Sequence, residues 1–306
     1  MRFEFRIPIS PTDGFFSQVR FFNAALRRFG GPCAESLLTV VVGDHCDIED
    51  VIRRNAWSRP YLVRWVKVPD DIFDRSHYFG TGMFRLLLES DADIIVLSDA
   101  DTVAVRDISP IGDLLGAGDA AIAGHMAHFP PPDMGQDPPI LFGESFWHDL
   151  FRDFGLPFPD RLFRYSIDPE GRLPLAPAYF NLGFVAMNQA ALAVFAREIF
   201  AWEGPINRRI TSWMWVQVAY TLIAYAHRMR IHVLGAEYNA ANDDSHFAHN
   251  RLDTDSIRVI HYLRVGEVDR SKIFLPDRFG GFLEAKLDNS VNRLLQRVAR
   301  ELASAM

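Results

Sequence analysis

The chain has 306 residues, 49% of them apolar and 23% charged, which is enough for one large domain or two modest ones with a sizeable core. Its net charge is −7, and no Lys/Arg block interrupts the acidic balance, which excludes the electrostatic footprint of a nucleic-acid binder. Two cysteines, Cys33 and Cys46, are too few for a disulfide framework or a zinc spacing. "MRFEFRIPIS" is too short and too charged for a signal peptide, and no apolar run reaches the roughly 18 residues of a membrane span. A reducing, cytoplasmic location is the expectation.

In chain order, residues 3–10 alternate Phe3, Phe5, Ile7 and Ile9 and predict a first strand. Residues 15–29 carry helical spacing and stop at Gly30-Gly31-Pro32. A continuous apolar strand over 36–44 closes at Gly43-Asp44, a short helix with an acidic first turn covers 47–56, and a strand over 61–69 is stopped by Pro69. A helix over 79–90 leads to a strand over 93–99, and 119–124 reads as another strand. The alternation predicts an α/β fold, Rossmann-like, with a mostly parallel central sheet flanked by helices and ligands beyond the carboxyl ends of the strands.

Residues 126–177 change character. Pro, Gly, Phe and Trp are frequent there, as in an ordered insertion that lines a site. Regular pattern returns at 178–188, followed by helices over 189–203 and 211–227 and strands over 231–235 and 258–263. One amphipathic helix is expected over 281–304. The organisation read from this is a single domain over 1–275 and a helical tail over 276–306. Arg293, Arg297 and Arg300 beside the tail's apolar stripe fit either a helix packed on the domain or one lying on the inner face of an anionic membrane.

Chemistry concentrates in "DADIIVLSDADTVAV", residues 91–105, which holds two Asp-Ala-Asp triplets around an uncharged strand. Alternation along a strand puts Asp99 and Asp101 on one face, where two carboxylates repel unless one pKa rises or a cation sits between them. A hard divalent ion such as Mg²⁺ or Mn²⁺ answers that need and brings phosphate oxygens with it. A plain turn cap is the alternative. Asp91-Ala92-Asp93 precedes the strand, lies at the opposite edge of the sheet and reads as a solvated turn.

"IIVLSDADTVAV", "YFNLGFVAMN" and "VIHYL" follow one another in an order that resembles the GT-A nucleotide-sugar glycosyltransferases, particularly the glycogenin and bacterial lipopolysaccharide galactosyltransferase type. The resemblance spans about residues 3–275. It implies a metal-dependent transfer of a hexose from a nucleotide diphosphate sugar, a UDP-hexose, to a carbohydrate, glycolipid or protein acceptor, with retention of configuration. It implies Asp99, Asp101 and His261 as ligands of Mn²⁺ (or Mg²⁺), with Ala100 between the carboxylates at the ribose and diphosphate. Neutral imidazole suits Mn²⁺.

By the same resemblance Asn181 and Gly183 match the Phe-Asn-small-Gly turn that meets the sugar, with Leu182 in place of the small residue. Gln217 would face the anomeric carbon and stabilise the sugar cation, while the leaving phosphate takes the acceptor proton. The family's preceding Asp is Val216 here. Arg85 and Lys272 would meet the diphosphate, although Arg264 replaces the Gly after His-Tyr and the Lys-Pro-Trp run is missing. Pro8, Ile9 and Ser10 would hold the base, with Asp13 and Asp44 as base or ribose contacts. An inverting reaction would instead require a carboxylate base, for which Asp168, Glu144 and Asp243 are available.

Trp213, Trp215 and Tyr220 read as core, and Trp147, Phe129 and Tyr165 as the aromatic side chains that would meet an acceptor. His246 and His249 read as loop histidines, with metal ligation as the alternative. Two rival functions stay open. The strand-Asp-x-Asp-x-Val pattern also fits an aspartyl phosphatase, with Asp99 as nucleophile and Asp101 as acid. Val216 and Arg264 also admit a nucleotide-sugar-binding protein without turnover.

Overall fold

A computed structural model of the chain describes residues 1–168 and 170–305. Pro169, inside the expected insertion, and Met306, at the end of the expected tail, lie outside the described residues. The first half runs β1 (Phe3–Ile9), α1 (Asp13–Phe29), β2 (Leu37–Val42), α2 (Ile48–Arg54), β3 (Val63–Lys67), α3 (Asp70–Phe84) and β4 (Ile94–Ser98). β5 (Thr102–Ala104), α4 (Pro110–Leu115), β6 (Ala121–Met126), β7 (Pro132–Asp133), β8 (Ile140–Leu141) and α5 (Phe146–Asp153) follow. The second half is β9 (Phe180–Asn188), α6 (Gln189–Asn207), α7 (Trp215–Ala226), β10 (Arg230–Val233), β11 (Ala240–Ala241), α8 (Asp244–His249), β12 (Val259–His261), α9 (Pro276–Glu284) and α10 (Ser290–Leu302).

Seven strands form the main sheet in the order β10-β6-β9-β4-β1-β2-β3. All pairings are parallel except those of β9, which runs antiparallel to both β4 and β6. Helices cover both faces, so the central strands are buried throughout and read as unbroken apolar runs, Ile94–Leu97 being the clearest. β1 is an instructive exception. Glu4 and Arg6 are as buried as Phe5 and Ile7, and they are tolerated because they pair with each other. Glu4 Oε1 also accepts from Thr39 Oγ1 (2.6 Å) and Arg64 Nη2 (2.8 Å).

Two helices differ from the sequence expectation. α3 begins at Asp70, not near 79, because Pro69 precedes an acidic first turn of Asp70 and Asp71. Its interior breaks at His77, whose φ of 47° and ψ of −133° leave the helical region, and the next turn presents Tyr78 and Phe79. The tail is two helices rather than one. Ala285 turns extended, and the Asn289 side chain caps α10 by accepting from Asn292 N (2.9 Å). The apolar stripe of α10, from Val291 to Leu302, is buried in a core shared with Phe21 and Ala25 of α1. That stripe is therefore not free to lie in a membrane surface. Among the described residues no helix is long and apolar enough to cross a membrane.

A small second sheet, β11-β12-β5, sits where β4 ends. β12 runs antiparallel to β5, with His261 opposite Thr102. At the other edge of the main sheet, Asp91 borders a cavity of about 560 Å³ with Arg2, Arg64 and Glu89, and Asp93 Oδ2 accepts from Arg2 N (2.7 Å).

Candidate active site

β4 ends at Ser98, so Asp99 and Asp101 lie in the tight connection to β5. Their side chains meet through a turn rather than through strand alternation. Thr102 N and Oγ1 both donate to Asp99 O (3.3 and 2.8 Å), closing that turn. Asp99 N donates to Gly183 O (3.0 Å), which docks the turn on β9. From β12's side, Tyr262 N donates to Asp101 O (3.0 Å) and Tyr262 Oη to Ala100 O (3.2 Å).

The β5–β12 register therefore delivers His261 beside the carboxylates. One ligand atom from each of Asp99, Asp101 and His261 lies within 4.8 Å of the others, the one such group of three among the described residues. His261 Nε2 is 3.3 Å from Asp101 Oδ1, and both residues are nearly buried, at 4% and 7% exposure. His261 Nδ1 is 2.9 Å from Asn239 Oδ1. With Asn239 Oδ1 as the acceptor, this contact places a proton on Nδ1 and turns Nε2 toward the carboxylates. Gly183 makes room for the ring, because a Cβ there would stand 2.2 Å from His261 Cε1. Two carboxylates, an imidazole of fixed tautomer and a second residue orienting that imidazole are a donor set that fits Mn²⁺ or Mg²⁺.

The electrostatics divide the pair. Burial and the Asp101 charge raise the Asp99 carboxyl above its ordinary pKa, with Arg85 opposing. Burial would also raise Asp101, but His261 and Arg270 outweigh it and bring its carboxyl down to about 2.

The cluster opens into a cavity of about 570 Å³, a size typical of small-ligand sites. Pro8, Arg85, Ala100, Asn181, Gly183 and Gln217 all face it, together with the three candidate ligands. Arg85 is buried, donates from Nη1 to Ser98 O (3.2 Å) and Arg6 O (3.4 Å), and has an Nε without a partner. Gln217 is fixed by donating from Nε2 to Phe180 O (2.6 Å), and Asn181 by accepting from Gly183 N at Oδ1 (2.8 Å). Those bonds leave Gln217 Oε1 and Asn181 Nδ2 as the atoms each can offer a ligand.

Other expected contacts do not reach this cavity. Ile9 is sealed in the core and Ser10 does not face the cavity; Thr12, Phe15 and Gln18 of the α1 end border it instead. Asp13 pairs with Arg54 at the surface (2.6 Å), and Asp44, at φ 69°, accepts from His45 N (2.7 Å). Lys272 is 60% exposed and paired with Asp269 (2.9 Å); the cation this loop presents to the cavity is Arg270, which contacts Asp101.

The aromatic assignments also change. Trp147 and Tyr165 are buried and bonded to each other, Nε1 to Oη at 2.9 Å, so neither meets a ligand. Trp215 and Tyr220 are core as expected, but Trp213 is 54% exposed and borders the cavity with Phe79. His246 and His249 lie on α8, and His246 is buried, its Nε2 3.3 Å from His125 Nε2. The described residues of the expected insertion fold as the β7–β8 hairpin, α5 and irregular chain, and none of them borders the cavity. Arg270 and Asn239 had no sequence signal beyond being polar residues in loops.

The chain has the fold of the GT-A glycosyltransferases. The galactosyltransferase LgtC, solved in complex with donor and acceptor sugar analogues, aligns over 100% of both chains with a TM-score of 0.58 and 13% identity. The bifunctional glycosyltransferase WbbM aligns over 97% of this chain and 51% of its own, with a TM-score of 0.56 and 16% identity. Mouse xyloside xylosyltransferase 1 aligns over 86% of this chain and 97% of its own, with a TM-score of 0.50 and 14% identity. No protein-family model and no curated protein sequence matches the chain.

Proposed function

We propose that this chain is a metal-dependent glycosyltransferase that moves a hexose from a nucleotide diphosphate sugar, a UDP-hexose, to an acceptor hydroxyl with retention of configuration. The observation that carries the reading is the convergence of Asp99, Asp101 and His261 at the carboxyl end of β4, in a cavity shared with Asn181 and Gln217 on a GT-A fold. The complex of LgtC with donor and acceptor sugar analogues supports it, as does an active-site mutant of LgtC in which glutamine is replaced by glutamate.

Asp99, Asp101 and His261 Nε2 would hold Mn²⁺ or Mg²⁺, which supplies charge neutralisation to the departing diphosphate. Arg85, with its unpartnered Nε, adds fixed positive charge beneath Asp99. Gln217 Oε1 is the group placed to stabilise positive charge developing on the sugar, and Asn181 Nδ2 the group to bind a hydroxyl. The leaving phosphate would itself accept the acceptor's proton. Glu144 and Asp168 lie outside the cavity wall, and Asp243 pairs with Arg264 (3.0 Å), so none stands ready as an inverting base. The phosphatase alternative leaves His261, Asn181 and Gln217 without a role.

The test is a panel of nucleotide diphosphate sugars with Mn²⁺, read by thermal shift and by release of nucleoside diphosphate. A cognate donor stabilises the fold by about 2.7 kcal/mol at a hundredfold excess over its Kd. Metal-dependent phosphate-ester hydrolysis with no effect of any nucleotide sugar would overturn the reading. Tight nucleotide binding without turnover on a broad acceptor set would leave a binding protein.

A further inference from the structure

We propose that Arg270 and the divalent cation compete for the Asp101 carboxylate, so that metal and diphosphate bind as a coupled pair rather than independently. The inference rests on the metal-dependent reading above and goes beyond it.

Both oxygens of Asp101 are engaged from different sides. Oδ1 faces His261 Nε2, and Oδ2 is held by Arg270 Nη1. The backbone of Arg270 is anchored. Gln18 Nε2 donates to Arg270 O (2.7 Å), and the Asp269 turn is closed by Ser271 N, Ser271 Oγ and Lys272 N. Its side chain is a different matter: it is 45% exposed, it borders the cavity, and its polar partner among the described residues is Asp101. A fixed backbone with a long, half-exposed side chain gives the guanidinium one place to pivot and two places to go.

A divalent ion seated among Asp99, Asp101 and His261 sets two positive charges beside the guanidinium and draws on the same carboxylate. The guanidinium must then give up Asp101. It still needs an anion, and a diphosphate bound beside the metal would supply one whose oxygens a guanidinium fork can match. Metal alone has to displace Arg270 without compensation. Diphosphate alone meets an Arg270 already paired and a site without its metal. Together each removes the other's cost, and by linkage the coupling is the same in both directions. In the meantime Arg270 serves as counter-ion, sparing two adjacent carboxylates an uncompensated charge.

The experiment titrates Mn²⁺ by the loss of its free-ion paramagnetic resonance signal, with and without saturating UDP, into the wild type, Arg270→Gln and Asp101→Asn. Arg270→Gln is expected to bind Mn²⁺ about tenfold more tightly than wild type without UDP, the worth of one charge-assisted hydrogen bond. With Mn²⁺ saturating, UDP is expected to bind Arg270→Gln about tenfold more weakly. The factor by which UDP tightens Mn²⁺ should therefore collapse in that variant. Circular dichroism confirms that each variant is folded, and Arg270→Lys, which keeps the charge without the fork, provides a second substitution with a smaller collapse. Mn²⁺ binding that is unchanged or weaker in Arg270→Gln overturns the competition while leaving the metal site in place. No Mn²⁺ binding by wild type, or binding that Asp101→Asn retains, overturns the metal-site reading and the competition with it.

Discussion

Gly183→Ala tests how tightly the proposed metal-ligand histidine, His261, is held. Gly183 lies in β9, and an added Cβ would stand 2.2 Å from His261 Cε1, 2.6 Å from His261 Nδ1 and 2.9 Å from Asn181 Oδ1. Carbon atoms in contact prefer about 3.5–4.0 Å, so the imidazole must retreat by more than about 1 Å. It has nowhere cheap to go: Nδ1 is bonded to Asn239 and Nε2 faces Asp101. Losing the Asn239 bond costs about 1 kcal/mol, and forcing a methyl into a packed site costs about 1–3 kcal/mol more. A loss of about 2–4 kcal/mol corresponds to roughly 3–6 °C in Tm for a chain of this size. Because the displaced ring is a proposed ligand, Mn²⁺ affinity is expected to fall about 10–100-fold, as when a group orienting a metal ligand is lost. Differential scanning fluorimetry and Mn²⁺ titration measure the two effects. Gly143→Ala is the control, since a Cβ at Gly143 meets nothing within 4 Å and Gly143 does not border the cavity. A Gly183→Ala protein that melts within 1 °C of wild type and keeps Mn²⁺ affinity within about twofold would refute the close-approach reasoning.

Three further outcomes are expected. Asp101→Asn abolishes the Mn²⁺- and UDP-induced rise in Tm, whereas Asp91→Asn, at the far edge of the sheet, leaves it intact; equal loss in both would remove the distinction between the triplets. Gln217→Ala lowers kcat by more than it raises KM, because its amide is placed for charge that develops only during transfer; a change confined to KM would count against that role. Burial holds the imidazoles of His125, His128 and His246 at about 4, 3 and 2, with Asp243 opposing at His246. Their folded pKa values lie below the unfolded value near 6.5, so the unfolded chain binds more protons in acid. Stability is then full above about pH 6.5 and falls between there and pH 4 by up to about 1.4 kcal/mol per pH unit for each histidine. His246→Asn should shallow that fall in Tm against pH, and an unchanged slope would exclude the cluster as its source.

How legible the molecule was depends on where each signal comes from. Ile94–Leu97 announced a strand buried on both faces, and the Pro69 and Gly30 stops fell where helices and strands end. The start of α3 was hidden because "DDIFDRSHYF" mixes acidic and aromatic residues without a clean period, and its kink at His77 is a backbone event with no residue-type signature. The two carboxylates and His261 were readable because three motifs appear in order. Arg270 was not: one residue, Ser271, separates it from Lys272, both are cations in one loop, and only the Gln18 anchor and the Asp101 contact decide which faces inward. Aromatic residues misled for a similar reason. Trp147 and Tyr165 satisfy each other's polar atoms and so can be buried, while Trp213 precedes α7 and stays at the rim.

The reversed direction of β9 has a consequence for how the molecule is made. Because it runs against β4, its first residues, not its last, reach the turn at Asp99. The strands β1, β2 and β3 pair in sequence and can close early, but the site draws Asp99–Asp101, Asn181–Gly183, Gln217 and His261 from successive, distant parts of the chain. Such non-local closures come late in folding, since the entropy of each long loop is lost before its contacts form. A refolding chain that has built β1 through β4 therefore carries a pair of carboxylates without the strand, the histidine or the arginine that complete them. The gain of metal affinity during refolding should lag behind the gain of helix and sheet, so a bound ion would report that the last connection, through β12, has been made.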